Sequence, residues 1–229
     1  MSKIQNGKMA TTGIFLTGGE MSLKNKSNLF VANPREKPRE GSMAINVTSQ
    51  SAGLTKVLSP FFIGPVELYD GLSAKNVENA WQFSKVYKQF LSKSGDILPS
   101  YWTWAEKGWN DTFAHRYPMG KGAVPEFALW KGGRLDYIAS RKAIYIPLYA
   151  KAVVNTKAFE TLQKIVDSGR SVTLVDFDVH ASGTKNLGET LEDPTKKFGH
   201  GFVLYGLLTG EITPEGRFVG ERPNLSVVR

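Results

Sequence analysis

The sequence predicts an α+β fold: one compact, helix-rich domain with a small sheet and an irregular N-terminal arm. Three observations carry that expectation. The 229 residues are 41% hydrophobic, 11% aromatic and 22% charged, values typical of globular chains rather than disordered, collagenous or coiled-coil ones. Several segments between residues 73 and 168 repeat apolar side chains at helical spacing. A clear strand, Ser171–Phe177, follows them. The expected organisation is a loosely ordered arm over residues 1–50 and a single domain over 51–229.

The arm is rich in Gly, Ser, Asn, Lys and Met, and Pro34 to Glu40 cannot form a regular element. Ala44–Val47 fits a short strand entering the domain. Residues 61–68 read as an apolar strand interrupted by the Gly64-Pro65 turn. Ser73 to about Leu91 reads as a helix, with Val77, Ala80, Trp81, Ser84 and Tyr87 on one face and Ser73 or Asn76 as cap. Ile97–Asn110, with Tyr101, Trp102, Trp104 and Trp109, is a second helix. Arg116–Gly133 reads as a long loop, and loops of that length are often functional. Leu135–Val154 is helical, kinked or divided by Pro147. Thr156–Ser168 is a helix stopped by Gly169. The class of Gly201–Leu208 is not settled by periodicity, and the tail after Thr209 is irregular.

Composition narrows the function. The chain has no Cys and three His, which excludes disulfides, thiol catalysis and cysteine metal sites, so no metal and no cofactor are expected. It has no apolar run of membrane-spanning length, and its first residues lack a signal-type apolar region. The expectation is a cytoplasmic protein with no membrane partner. Lys plus Arg number 29 against 21 Asp plus Glu, a net +8 concentrated in residues 1–170. Such a charge favours polyanionic or phosphorylated partners, nucleic acid among them, and also fits ordinary solvated lysines.

Four constellations could carry chemistry. Glu78, Gln82 and Lys85 share a helix face at i+4 and i+3 spacing, beside Trp81. A carboxylate, an amide and an ammonium next to an indole suit a nucleotide-like ligand: the indole stacks, the lysine meets a phosphate, and the carboxylate faces a ribose or a developing cation. The same spacing also fits a solvated Glu–Lys pair with Trp81 in the core. Asp176 and Asp178 end the Ser171–Phe177 strand, followed by His180, where carboxylates point into a crevice or simply make a turn. Arg116 to Gly122, with Lys121, could wrap an anion, although its spacing is not that of a P-loop and it also fits a surface loop. Gly199-His200-Gly201 offers a general base or a plain turn.

Residues 58–68, Leu-Ser-Pro-Phe-Phe-Ile-Gly-Pro-Val-Glu-Leu, lead to residues 77–85, Val-Glu-Asn-Ala-Trp-Gln-Phe-Ser-Lys. This pattern resembles the NADAR / YbiA-like family, with Val77, Glu78, Gln82 and Lys85 at matching spacing. Ser168-Gly169 and Leu174-Val175-Asp176 are similar to a later family segment. The resemblance spans about residues 55–180 and is specific over 77–85. The usual "WG.G" close is absent, and Asp178–Gly183 stands near its place. The resemblance implies a helix-rich α+β fold and cleavage of N-glycosidic bonds in nucleotide-type molecules. Carried over residue by residue, Glu78 would be the catalytic carboxylate and Gln82 and Lys85 would line the site, with Trp81 in an aromatic position of the motif. Asp176 or Asp178 is the second candidate, as a water-positioning base. Arg116, Lys121 and His180 join the expected substrate-binding set. The expected substrate is an ADP-ribosyl or modified-base adduct on nucleic acid. The alternatives are a small phosphoribosyl metabolite, excision of a modified base by a DNA glycosylase, and non-catalytic binding of NAD, ADP-ribose or DNA.

Overall fold

The computed structural model describes residues 26–219. Strands β1 (Leu29–Ala32) and β2 (Met43–Asn46) open it, followed by strands β3 (Val66–Glu67) and β4 (Ser73–Ala74) and helix α1 (Val77–Gln82). Next come β5 (Lys85–Val86), α2 (Pro99–Trp109), β6 (Phe127–Trp130) and β7 (Gly133–Leu135). Helix α3 (Tyr137–Ser140) passes through a π-helical turn, Arg141–Tyr145, into α4 (Ile146–Val153). Helix α5 (Lys157–Asp167), strand β8 (Val172–Val175), and helices α6 (Leu187–Glu192) and α7 (His200–Thr209) complete the order. The architecture is α+β, as the sequence predicts.

The site hangs on the sheet β1-β8-β2, in which β8 pairs in parallel with both neighbours. Val172, Thr173 and Leu174 are fully buried, as a central parallel strand should be, with the Thr173 hydroxyl satisfied by the Arg39 N–H and the Ser42 hydroxyl. Both partners of β8 come from residues 1–50. The expected boundary at residue 50 is therefore too late: β1 and β2 belong to the domain. The rest of the expected arm lies outside the described residues. Above the sheet runs α7, with nine of its ten residues buried. A helix apolar all round belongs in a core, which is why periodicity could not classify Gly201–Leu208.

Several boundaries differ from the sequence reading. The long helix expected from Ser73 to Leu91 is only α1, flanked by two-residue strands. Tertiary pairing overrides propensity there: Lys85 and Val86 pair with Ala128 and Phe127 of β6, in the stretch expected to be loop. The apolar strand over 61–68 shrinks to β3, which forms a hairpin with β4. The Leu135–Val154 segment is helical from Tyr137 to Val153, and its regular hydrogen bonding is interrupted by the π-turn just before Pro147, whose ring nitrogen cannot donate back into that turn. Helices α2 and α5 stand where expected; Thr156 caps α5 and Gly169, at φ +80°, ends it. No helix among the described residues is long and apolar enough to cross a membrane.

Candidate active site

Helix α1 has six residues, too few to hold itself together in water. It is held by its ends. The Asn76 side chain accepts the Asn79 N–H at 2.8 Å. The Val77 and Glu78 N–H groups donate to the carbonyls of Ile63 and Pro60 at 2.9 and 3.0 Å. The Ser59–Ile63 segment, itself fixed by the Tyr149 hydroxyl on the Leu58 carbonyl, thus replaces the missing preceding turn. Helix α1 and the start of β5 together present a relay of side chains; Lys85, expected on the same helix face, stands on β5 instead. Gln82 Nε2 donates to Glu78 Oε1 at 2.9 Å, and Lys85 Nζ donates to Gln82 Oε1 at 2.7 Å. The Lys85 ammonium also lies 4.6 Å from the Trp81 ring centroid, and Trp81 packs on Tyr145 at 5.4 Å.

These residues are not a solvated surface pair, since Glu78 is only 6% exposed. Burial raises the Glu78 pKa, opposed by the Gln82 hydrogen bond and by the Lys85, Arg116 and His200 charges. Burial also lowers the Lys85 pKa to about 8, opposed by the Glu78 charge. The Tyr145 hydroxyl is pushed well above the usual tyrosine range by burial and by Glu78, Asp176 and Asp178, so it stays a proton donor. A carboxylate, an ammonium and a phenol are thereby held in one poorly solvated place. Perturbed titrations of this kind cluster at functional sites.

The second wall is built where β8 ends against the start of α7. Asp176 Oδ2 accepts the Gly201 N–H at 3.1 Å and lies 3.4 Å from His200 Nδ1, while Oδ1 accepts the Phe177 N–H at 2.7 Å. His200 Nε2 is 2.7 Å from the Val47 carbonyl; a carbonyl can only accept, so this nitrogen carries a hydrogen. Asp176 thus caps α7 from another element and fixes His200 between the end of β8 and the chain after β2. The glycines of Gly199-His200-Gly201 follow from the same packing. A Cβ at Gly199 would meet Asp176 Oδ2 at 2.5 Å, and one at Gly201 would meet Val179 Cγ1 at 2.8 Å.

The third wall carries cations. Asn79 on α1 donates to the Asp111 and Phe113 carbonyls and accepts the His115 N–H, at 3.0, 2.8 and 2.9 Å, which brings Arg116 over the site. Arg116 Nη2 donates to Asp178 Oδ2 at 2.7 Å, and Lys197 Nζ donates to Oδ1 at 2.8 Å. Burial alone would lower the Arg116 pKa, but Asp178, Tyr117 and Glu78 raise it overall. Arg141, buried in the π-turn, donates to the carbonyls of Leu191, Asp193 and Lys196 and so pins the segment that carries Lys197. π-turns are rare and recur at functional sites.

Together these walls enclose a cavity of about 190 Å³. Of the residues singled out from sequence, Glu78, Trp81, Gln82, Lys85, Arg116, Asp176 and Asp178 all line it. Lys121 and His180 do not; they line an adjoining groove that shares Arg116, Tyr117, Phe177, Asp178 and Lys197 with the cavity. His200, open to either a base or a turn in the sequence, is a cavity residue on the first turn of α7. Sequence reasoning missed Asn79, Tyr137, Arg141, Tyr145 and Lys197. None of these carried a signal readable from sequence alone, since Arg141 stands beside Lys142 and Ser140. Among the described residues no cluster of His, Asp and Glu is arranged to hold a metal. Neither a scan of protein-family models nor a search of curated proteins returns a match for this chain.

Proposed function

We propose that this cavity hydrolyses an N-glycosidic bond in a nucleotide-type substrate, with an ADP-ribosyl or modified-base adduct on nucleic acid as the favoured form. The observation that carries the reading is Glu78: a buried carboxylate tied through Gln82 to Lys85, beside an indole, in a cavity rimmed by Arg116 and Lys197. The resemblance of residues 58–85 to the NADAR / YbiA-like family points the same way.

The chemistry follows from those groups. As the C1′–N bond lengthens, positive charge grows on the ribose and Glu78 stabilises it; electrostatic groups of this type are worth about 10²–10³ in rate. The bonding pair leaves with the base, whose nitrogen takes a proton from the Lys85 ammonium. A lysine lowered to about 8 is a better acid than a free one. Water adds its oxygen to C1′ and gives its proton to Glu78. The Tyr145 hydroxyl, which lines the same cavity, supplies a hydrogen-bond donor to the bound substrate. Asp176 has a positioning role in this scheme, because both its oxygens already accept protein N–H groups. Asp178 likewise orients Arg116 and Lys197 rather than a water.

A second substrate form is a phosphoribosyl metabolite, whose phosphate would meet Arg116 and Lys197, treated by the same chemistry. Mass spectrometry of ADP-ribosylated oligonucleotides, modified-base DNA, NAD and phosphoribosyl pyrimidines, with wild type and Glu78→Gln, tests both. A free base released only by wild type supports the reading and identifies the form. Equal turnover by Glu78→Gln removes Glu78 from the mechanism, and a panel that no protein cleaves, with one compound raising Tm, makes this a binding protein.

A further inference from the structure

We propose that Arg116 and Lys197 form a phosphate clamp whose ligand position is filled from within by the Asp178 carboxylate, and that the groove beyond it takes the phosphodiester backbone of a single-stranded nucleic acid. The inference rests on the glycosidase reading only in placing a base and sugar in the cavity.

The clamp is read from geometry. The two oxygens of Asp178 are divided between two cations, Arg116 on Oδ2 at 2.7 Å and Lys197 on Oδ1 at 2.8 Å. The cations come from segments about eighty residues apart in sequence and meet only at this carboxylate. Two oxygens of one tetrahedral phosphate present the same paired acceptors, and an arginine fork engages them more strongly than it does a single carboxylate oxygen. The pairs are partly exposed, Asp178 and Arg116 at about 30% of their side-chain surface and Lys197 at 70%, so an incoming anion reaches them and each pair is weak enough to exchange.

The groove supplies the rest. It measures about 640 Å³ and adjoins the cavity through Arg116, Tyr117 and Phe177. Arg35, Lys121 and Lys196 also line it, from three further points of the chain, and form no salt bridge among the described residues. Asp178 is the one acid of its lining against five Lys and Arg. A lone pyrophosphate would use the clamp and leave Arg35 and Lys121 unanswered and Lys196 with only the nearby Asp193 charge, whereas a strand with successive phosphates answers all three. The Arg116 guanidinium lies 5.8 and 5.7 Å from the Tyr117 and Phe177 ring centroids, and Tyr117 is half exposed. Bases of a single strand stack on such cation-backed rings without sequence preference. The cavity's 190 Å³ falls below the roughly 300–1,000 Å³ of a whole ligand pocket. The phosphates of a nucleotide held there therefore lie outside it, toward the clamp.

The test is fluorescence anisotropy with a labelled twelve-nucleotide single strand, over a range of salt, using the full chain. Asp178→Asn removes the internal anion and leaves both cations, and it is expected to bind roughly fivefold more tightly than wild type. Replacing Arg35, Lys121 and Lys196 together by Ala is expected to weaken binding and to flatten the slope of log K against log salt by about 2. Equal or weaker binding by Asp178→Asn overturns the clamp. An unchanged salt slope in the triple variant, or inorganic pyrophosphate binding as tightly as the oligonucleotide, overturns the groove. Should Asp178→Asn fail to fold, Lys197→Glu decides: at least tenfold weaker binding supports the clamp, and unchanged affinity overturns it. Because the readout is binding, the two ideas fail separately. An oligonucleotide bound as described but never cleaved sinks the glycosidase reading alone, and cleavage of free nucleotides without oligonucleotide binding sinks the strand groove alone.

Discussion

At the scale of single residues, Glu78 and Lys85 set the pH behaviour. Glu78 is shifted up, so in the native state its charged form is disfavoured relative to the unfolded chain. Native stability is then fully present below the unfolded carboxylate range and declines as pH rises through the raised native value. Glu78→Gln imitates the protonated acid and escapes that decline. The variant is expected to melt at or above the wild-type temperature, with a difference that widens from pH 4 to pH 8 while cleavage falls about 10²–10³-fold. Calorimetry across that range checks it; a gap that narrows with pH contradicts the burial argument. Lys85 has the opposite sign, being lowered to about 8. Activity that needs the ammonium is expected to fall as pH passes that value, giving a bell with Glu78 on its acidic side. Lys85→Met is expected to lower kcat and remove the alkaline limb, which a pH series of kcat/KM reads directly.

At the scale of elements, the site depends on anchors outside it. Asn79 makes three hydrogen bonds to the Asp111–His115 segment and one N–H bond to the Asn76 cap. Asn79→Ala removes the three side-chain bonds, which are part-buried, each loss being about 0.5–1.5 kcal/mol. The expected result is a lower Tm and a raised KM through displaced Arg116, with kcat less affected, which steady-state kinetics separates. Gly201→Ala is expected to destabilise by about 1–3 kcal/mol, since its Cβ would push Val179 and the Asp176 cap away from α7. The legibility of the sequence follows the same division. The Glu78–Gln82 pair was readable because one helical turn fixes it, whereas Lys85 reaches Gln82 from β5 and not from the helix face its spacing suggested. The β8 terminus was readable because Asp176 and Asp178 punctuate the strand. Asn79, Arg141 and Lys197 were not, because their roles exist only in bonds to segments 32 to 55 residues away or in a pair with Asp178. Strand β6 was hidden for a related reason: Phe127–Trp130 sits among Gly and Pro and is a strand because β5 and β7 pair with it.

At the scale of the whole molecule, the decisive feature is that the central strand comes late in the chain and both its partners come early. β8 at residues 172–175 is clasped by β1 and β2, so the sheet closes only after most of the chain has been made. β1 is short, yet Leu29, Val31 and Ala32 are each 2–3% exposed. Immediately after it, Asn33 Nδ2 donates to the Phe177 carbonyl at 2.6 Å, between the two aspartates of the site. Burying an aliphatic side chain of the size of Leu or Val is worth about 1.5–3 kcal/mol, against about 5–15 kcal/mol for the net stability of a domain. Losing β1 therefore removes much of that margin, exposes an edge of β8, and frees the Asp176–Asp178 turn. A chain beginning at residue 41 is expected to lose its near-ultraviolet dichroism and its cooperative urea transition, and with them any cleavage or oligonucleotide binding. A cooperative transition at the wild-type midpoint in that truncation would show that β2 alone supports β8 and that the domain begins after β1.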